Sequence, residues 1–360
     1  MRAAFKSLEA SVCDIYRFLE FASSLESQKA ALPAINPAGN PVVQYLASTA
    51  WRKHVYAFAI VGVYGAHERF IRDFCAEVAV VISKIHGAYK KLPERMRTAH
   101  EKFSIERAQA ISEGRTGDKA DLQVLIANLH SCLEGGSVLN YDVFATSSAN
   151  FRSHTVRETF SRLAIDLSNE EPEHLKKVVA NELAGYYPTS FTVLDGLADL
   201  RNEIAHGSDF QTLDRGTLTS IVRVVHLYDH WLVGQVACSL KNLLLSTYGE
   251  LVGTITKTYK GAGEIRSIGS LDSLAAKVSI GDPVHISKPN GDFEKSIVAS
   301  IEFNSNPMPS AAGLGPFGID FGILVREKAE VRRVPPIYAG IWAELELALT
   351  VAPTQIPGIQ

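Results

Sequence analysis

The hydrophobic period of this chain changes once, near Ser246, and that change limits what the chain can fold into. Before it, apolar residues recur at helical spacing, as in Phe5, Leu8, Val12, Ile15, Tyr16 and Leu19. After it come short alternating or wholly apolar runs: Leu251 to Tyr259, Val278 to Ile280, Val284 to Ile286, Ile297 to Phe303, Gly318 to Val325 and Val331 to Val334. A side-chain period of 3.6 and one of 2 cannot be satisfied by the same backbone, so the spacing predicts a multidomain α and β chain. Residues 1–245 are expected to form an all-α bundle, 246–340 a small closed β-barrel and 341–360 a tail. With 360 residues and 46% hydrophobic content, the chain is long enough for two cores.

Within the helical portion, a Pro/Gly/Asn cluster from Pro33 to Pro41 marks a loop. The run from Val42 to Lys84 is apolar on more than one face and suits a central helix. Its most apolar part, Val55 to Ala66, is too short for the roughly 20 residues of a membrane span. A basic helical insertion follows at about 84–130. Its first part carries Lys90, Lys91, Arg95 and Arg97, with Tyr89, Phe103, His86 and His100 interleaved. Cations among aromatic rings can hold phosphates and stack bases, which makes this a candidate RNA track; a solvated helical face has the same composition. Further on, His154 and Arg157 stand three apart on one helical face, where they could reach a common anion or belong to surface ion pairs.

Several chemistries are disfavoured. The four cysteines are scattered with no C-x-x-C pair, as expected of reduced thiols rather than a disulfide frame or zinc site. His226 and His230 have the i,i+4 spacing of zinc ligands but no third ligand, so they read as packing residues. Gly313-Leu314-Gly315-Pro316-Phe317-Gly318 matches G-x-G-x-x-G, yet it reads as part of a Pro/Asn/Ser loop that precedes a strand rather than a helix. No Walker A pattern, G-x-S-x-G elbow or H-E-x-x-H occurs. A net charge of −3 requires any nucleic-acid contact to come from a local basic patch. The N-terminus has no signal-peptide pattern, and a cytoplasmic protein without a membrane partner is expected.

The stretch from Leu194 to Gly207 remains. Leu194, Leu197, Ala198, Ile204 and Ala205 form an apolar stripe, and Arg201 falls on it. A guanidinium there calls for a cleft or an interface. His206 follows five residues later, and Gly207 is a natural helix stop.

Arg201-Asn202-Glu203-Ile204-Ala205-His206 fits the R-x(4-6)-H signature, and the stretch resembles the HEPN-domain family. The early helix with Trp51 and Glu68 and the segment Asn150 to Arg157 resemble in particular the MAE_28990/MAE_18760-like group. The resemblance implies a metal-independent endoribonuclease without cofactor, acting as a homodimer in which two motif helices share a cleft. Arg201, His206 and Asn202 would be its catalytic residues. Histidine serves as base or acid near neutral pH, and arginine neutralises the phosphorane. Glu203 would hold the imidazole or the RNA, or be merely solvated. Family members of this kind are often toxins or abortive-infection effectors held by an antitoxin or regulator, and others are non-catalytic RNA-binding adaptors. Ile280-Gly281-Asp282-Pro283-Val284-His285-Ile286 and the strands after it resemble the β-barrel of translation factors. That likeness implies docking to tRNA or a ribosome-associated target, or a purely structural appendage.

Overall fold

The computed structural model describes residues 2–31, 41–117, 119–147, 149–207, 211–259 and 267–350. It divides into two compact units, 1–236 with 348–360 and 237–347, the boundary falling inside one long helix. The first unit is helical: α1 (Arg2–Ala31), α2 (Pro41–Ala47), α3 (Thr49–His86), α4 (Glu94–Ser112), α5 (Lys119–Leu133), α6 (Ser153–Ser161), α7 (Glu173–Glu182), α8 (Ser190–Ala205) and α9 (Arg215–Tyr248), which runs on into the second unit. Of the loop cluster from Pro33 to Pro41, positions 33–40 lie outside the described residues, and Pro41 opens α2.

The apolar run from Val42 to Lys84 is two helices, α2 and α3, rather than one. Ser48 divides them, because its side chain accepts the Trp51 N–H and starts a new helix there. Gly87 ends α3 in the left-handed conformation (φ 71°), its N–H donating to the Ser83 carbonyl. As the wholly apolar stretch predicts, α3 is central, packing on α1, α6 and α8. At its middle, buried His67 bonds Asp229 of α9 at 2.8 Å, and burial raises the pKa of that carboxyl. His226 and His230 flank the Phe5 ring at centroid distances of 6.4 and 5.6 Å, so both are packed against α1.

The basic insertion has a core of its own. Asn140 is buried; its backbone N–H donates to His100 Nε2 at 3.0 Å. Its side-chain amide donates to Ser104 Oγ and to the Leu125 carbonyl, and Asn128 donates to its oxygen. One asparagine thereby joins α4 to α5, and every arm of its side chain is used. His86, Tyr89 and His100, three of the rings interleaved with cations in the sequence, are buried rather than presented to a ligand. Burial lowers the His100 pKa to about 4, so it packs as neutral imidazole.

The second unit holds antiparallel strands β1 (Glu250–Thr254), β2 (Lys257–Tyr259), β3 (Ile268–Ser279), β4 (Pro283–Ser287), β5 (Phe293–Ile297), β6 (Ser300–Phe303), β7 (Asn306–Pro307), β8 (Ser310–Asp320) and β9 (Glu330–Arg333). They make two sheets, ordered β1-β9-β4-β5 and β2-β3-β8-β6-β7, around a core that includes Leu271, Val284, Ile301, Ile319 and Val331. The result is a half-barrel instead of the expected closed barrel. β3 begins ten residues before the predicted Val278. Register shifts between Leu271 and Ser273 and between Leu274 and Val278 interrupt the alternation on which that prediction depends. The run Gly318 to Val325 stops being strand after Asp320, whose carboxylate accepts the Gly322 N–H in a local turn. The G-x-G-x-x-G segment lies inside β8, with Gly313 paired to Leu274, not in a loop. A last helix, α10 (Ala339–Thr350), overlaps the predicted tail and buries Trp342 and Leu345. Trp342 meets buried His285 of β4 edge to face at 4.5 Å.

Candidate functional site

The stretch from Leu194 to Gly207 occupies most of α8 and its C-terminus, and the helix is tied down from its start. Thr189 caps it reciprocally: its hydroxyl accepts the Thr192 N–H while the Thr192 hydroxyl accepts the Thr189 N–H. Buried Glu171 accepts the next free N–H, that of Ser190. Leu194, Leu197 and Ala198 are buried, as the stripe predicts. Gly196 faces the Tyr187 ring so closely that a Cβ there would lie 2.4 Å from Cε1, so the ring needs glycine at that turn.

The segment Asn150 to Arg157 docks onto this helix. Asp195 caps α6, its Oδ1 accepting the Ser153 N–H at 2.8 Å and its Oδ2 the Ser153 hydroxyl at 3.3 Å. Arg152 donates to the Asp195 carbonyl and grips the Asp199 carboxylate with both terminal nitrogens, which lowers the Asp199 pKa. Arg157 lays its guanidinium over the Phe191 ring at 5.4 Å. His154 has its neighbours elsewhere, in a cleft beside Thr155, and so the structure separates the pair that the spacing could have placed on one anion.

The last turn of α8 is unlike the rest. Ile204 is half-buried and Ala205 exposed, so the apolar stripe ends a turn earlier than expected and leaves Arg201 at its margin. Arg201 is half-buried with its guanidinium 5.4 Å above the Tyr64 ring, and its Nη1 donates to Asn202 Oδ1 at 3.2 Å. Tyr64 is itself fixed, donating to Asn150 Oδ1 and accepting the Phe151 N–H at 3.1 Å. Burial raises its pKa, so it stays a neutral platform. His206 is the C-cap, its N–H donating to the Asn202 carbonyl, and Gly207 follows in the left-handed conformation (φ 69°). The His206 side chain is exposed and makes no hydrogen bond among the described residues. Glu203 is exposed too; its charge helps raise the pKa of Tyr56, to about 12, and of Tyr187, burial being the larger cause in both.

Tyr64, the ring beneath Arg201, is not singled out by the motif spacing. Its signal was the spacing Tyr64, Glu68, Arg72, which lines one face of α3 and leads to the Glu68–Arg72 ion pair. The residues of the proposed basic track differ in setting. Lys90 and Lys91 are exposed on a 3-10 turn, Arg97 is half-buried within α4, and Arg95 turns to Asp166 and Ser161. No group of three metal-ligating side chains comes together among the described residues.

An all-helical unit with an Arg-Asn-x-x-x-His sequence closing an exposed helix end can be compared with known families. The model of the RiboL-PSP-HEPN family matches residues 8–230. The chain belongs to the HEPN family. The matching branch is RiboL-PSP-HEPN, in place of the MAE_28990/MAE_18760-like group that the motif environment resembled. The HEPN match covers α8 and the first half of α9 and stops before the half-barrel. HEPN domains are commonly ribonucleases, and membership supports a nuclease or RNA-binding role in general terms. No curated protein matches the chain. No described helix is long and apolar enough to cross a membrane.

Proposed function

We propose that the protein is a metal-independent endoribonuclease. The observation that carries the reading is the contrast at the end of α8, where Arg201 is held on a fixed ring while His206, five residues on, is open to solvent. In this reading a base takes the ribose 2′-OH proton and the 2′-oxygen attacks the adjacent phosphorus. The P–O5′ bond breaks, leaving a 2′,3′-cyclic phosphate, and an acid protonates the departing 5′-oxygen. His206 serves as base or acid. Arg201 binds the non-bridging oxygens as charge develops on them, and Asn202 orients the guanidinium it already bonds. One chain brings one histidine to the motif, so the second proton carrier is His206 of a second copy across a shared cleft. The half-exposed stripe of Ile204 and Ala205 suits that homodimer.

By extension, the enzyme acts as a toxin or antiviral effector in the cytoplasm, restrained by an antitoxin or regulator. Its target is tRNA or a ribosome-associated RNA, with the half-barrel as docking module. Cleavage of total RNA by purified protein in EDTA, with mapping of 5′-hydroxyl and cyclic-phosphate ends, tests the chemistry; inhibition by EDTA or 5′-phosphate products refute it. The second reading, a non-catalytic RNA-binding or adaptor dimer, is favoured by the Arg201–Asn202 bond, which gives the arginine an intramolecular partner. Growth arrest on expression, relieved by His206→Ala, separates the two.

A further inference from the structure

Away from the motif, two open depressions of about 740 and 650 Å³ lie along α4 and α6 and meet at a common wall of Phe103, Glu158 and Arg162. Together they form one continuous groove through that shared wall. Six cationic side chains line it (Arg72, Arg107, Arg115 and Arg162 on one side of the junction or at it, Arg95 and Lys102 beyond), with His154 among them. The acids in the lining are Glu94, Glu106 and Glu158, half as many, on a chain whose net charge is negative.

Arg162 is the decisive residue. Its Nη1 donates to the Phe144 and Thr146 carbonyls at 2.8 and 2.7 Å, and its guanidinium lies 4.1 Å above the Phe103 ring. It is half-buried and has no ion pair among the described residues; Glu158 and Glu106 act on it only through space. A permanent charge fixed in this way at the junction of two depressions lacks a bound counter-ion, and an anion lying in the groove would supply it. The other arginines hold carboxylates: Arg72 with Glu68, Arg107 with Asp142, Arg115 with Glu113, Arg95 with Asp166. These pairs are partly exposed and individually weak, so a phosphate that accepts two N–H bonds can take the carboxylate's place.

The groove also leads to the motif. Arg72, in its wall, lies 5.0 Å over Phe151, whose N–H bonds the Tyr64 hydroxyl beneath Arg201. Along α3, Arg72 is two turns from Tyr64, about 12 Å. We propose that this groove holds the sugar-phosphate backbone of the RNA strand flanking the scissile phosphate, with Arg162 and Arg107 as its central phosphate contacts. The inference takes RNA as the ligand from the nuclease reading but does not need the cleavage chemistry.

The test uses the full chain carrying His206→Ala and a labelled single-stranded RNA of roughly 12 nucleotides, within the usual range of such sites. Arg107→Glu with Arg115→Glu is expected to weaken binding at least 10-fold and to flatten the log–log salt dependence by about 1.4, two phosphate contacts' worth. Lys176→Glu with Lys177→Glu, an equal charge change on exposed α7 residues, is expected to leave affinity within 2-fold (about 0.4 kcal/mol). Arg107→Ala alone repeats the measurement should the double variant misfold. Equal losses in both doubles, no loss in the groove variants, absence of RNA binding, or displacement by a nucleoside monophosphate as effective as by the oligomer would each overturn the proposal. RNA held through the groove yet left intact by the unmutated chain would defeat the nuclease reading and leave the groove standing. Cleavage that Arg107→Glu neither weakens nor slows would do the reverse.

Discussion

The two ends of α8 are built to opposite specifications. Its first three turns are saturated with partners: Thr189 and Glu171 take the leading N–H groups, Asp195 caps a second helix, Asp199 holds Arg152, and Gly196 admits the Tyr187 ring. Its last turn has Arg201 resting on Tyr64 and His206 exposed beyond it. Where the helix is saturated, substitution should be felt as stability. Where it is open, substitution should be felt as function. Under the nuclease proposal, this arrangement would keep the groups at the helix end positioned without surrounding them with competing donors.

The sharpest way to break this comparison is at the open end. His206→Ala or Arg201→Ala is expected to lower RNA cleavage by about 10²- to 10⁴-fold, the usual worth of a positioned acid, base or charge stabiliser. Because His206 makes no hydrogen bond among the described residues, its removal should leave the thermal midpoint unchanged. A large drop in the midpoint would mean that this end is structural. At the saturated end, Asp195→Ala removes the cap of α6 and should cost about 2 kcal/mol in urea unfolding, with Asp195→Asn recovering part of it.

Gly196→Ala sets two effects against each other. Alanine favours a helix interior by about 1 kcal/mol, while the Tyr187 ring must be displaced at a cost of about 1–3 kcal/mol. Net destabilisation of about 1 kcal/mol is expected, turning to net stabilisation in a Tyr187→Ala background, where only the helix preference remains. The smallest effect concerns the Arg152–Asp199 pair. The folded pKa of Asp199 lies below its ordinary 3.8, so its contribution is complete above that value and is lost as pH falls below it. The side chain is mostly exposed, so the acid limb of an unfolding curve should differ only slightly between this protein and Asp199→Asn.

Much of the fold can be read from local pattern. The change of period near Ser246 separates α1–α9 from the strands that follow, and the Arg201–Gly207 stretch is found with its terminating glycine where the helix ends. Motif residues are legible because they are close in sequence and their spacing on a helix is fixed by geometry. The basic track was not legible, since composition does not say which cations share a surface. Lys90 and Lys91 are neighbours in sequence that project from a short turn, whereas Arg72, Arg107 and Arg162 come together from three segments. His86 and His100 looked like part of a binding surface and are core residues, because burial belongs to the packed chain and not to the residue type.

The sequence by itself therefore determined the class of the two regions and the helix that ends in the Arg201-Asn202-His206 stretch, both consequences of periodicities and spacings within a few turns. Only the tertiary structure decided that Tyr64 supports Arg201, that Asp195 ties α6 to α8, and that Arg162 has no ion pair among the described residues where two depressions meet. Those facts depend on segments up to 137 residues apart, Tyr64 and Arg201 being the widest, and on which polar groups packing leaves unsatisfied. A one-dimensional pattern contains no record of either.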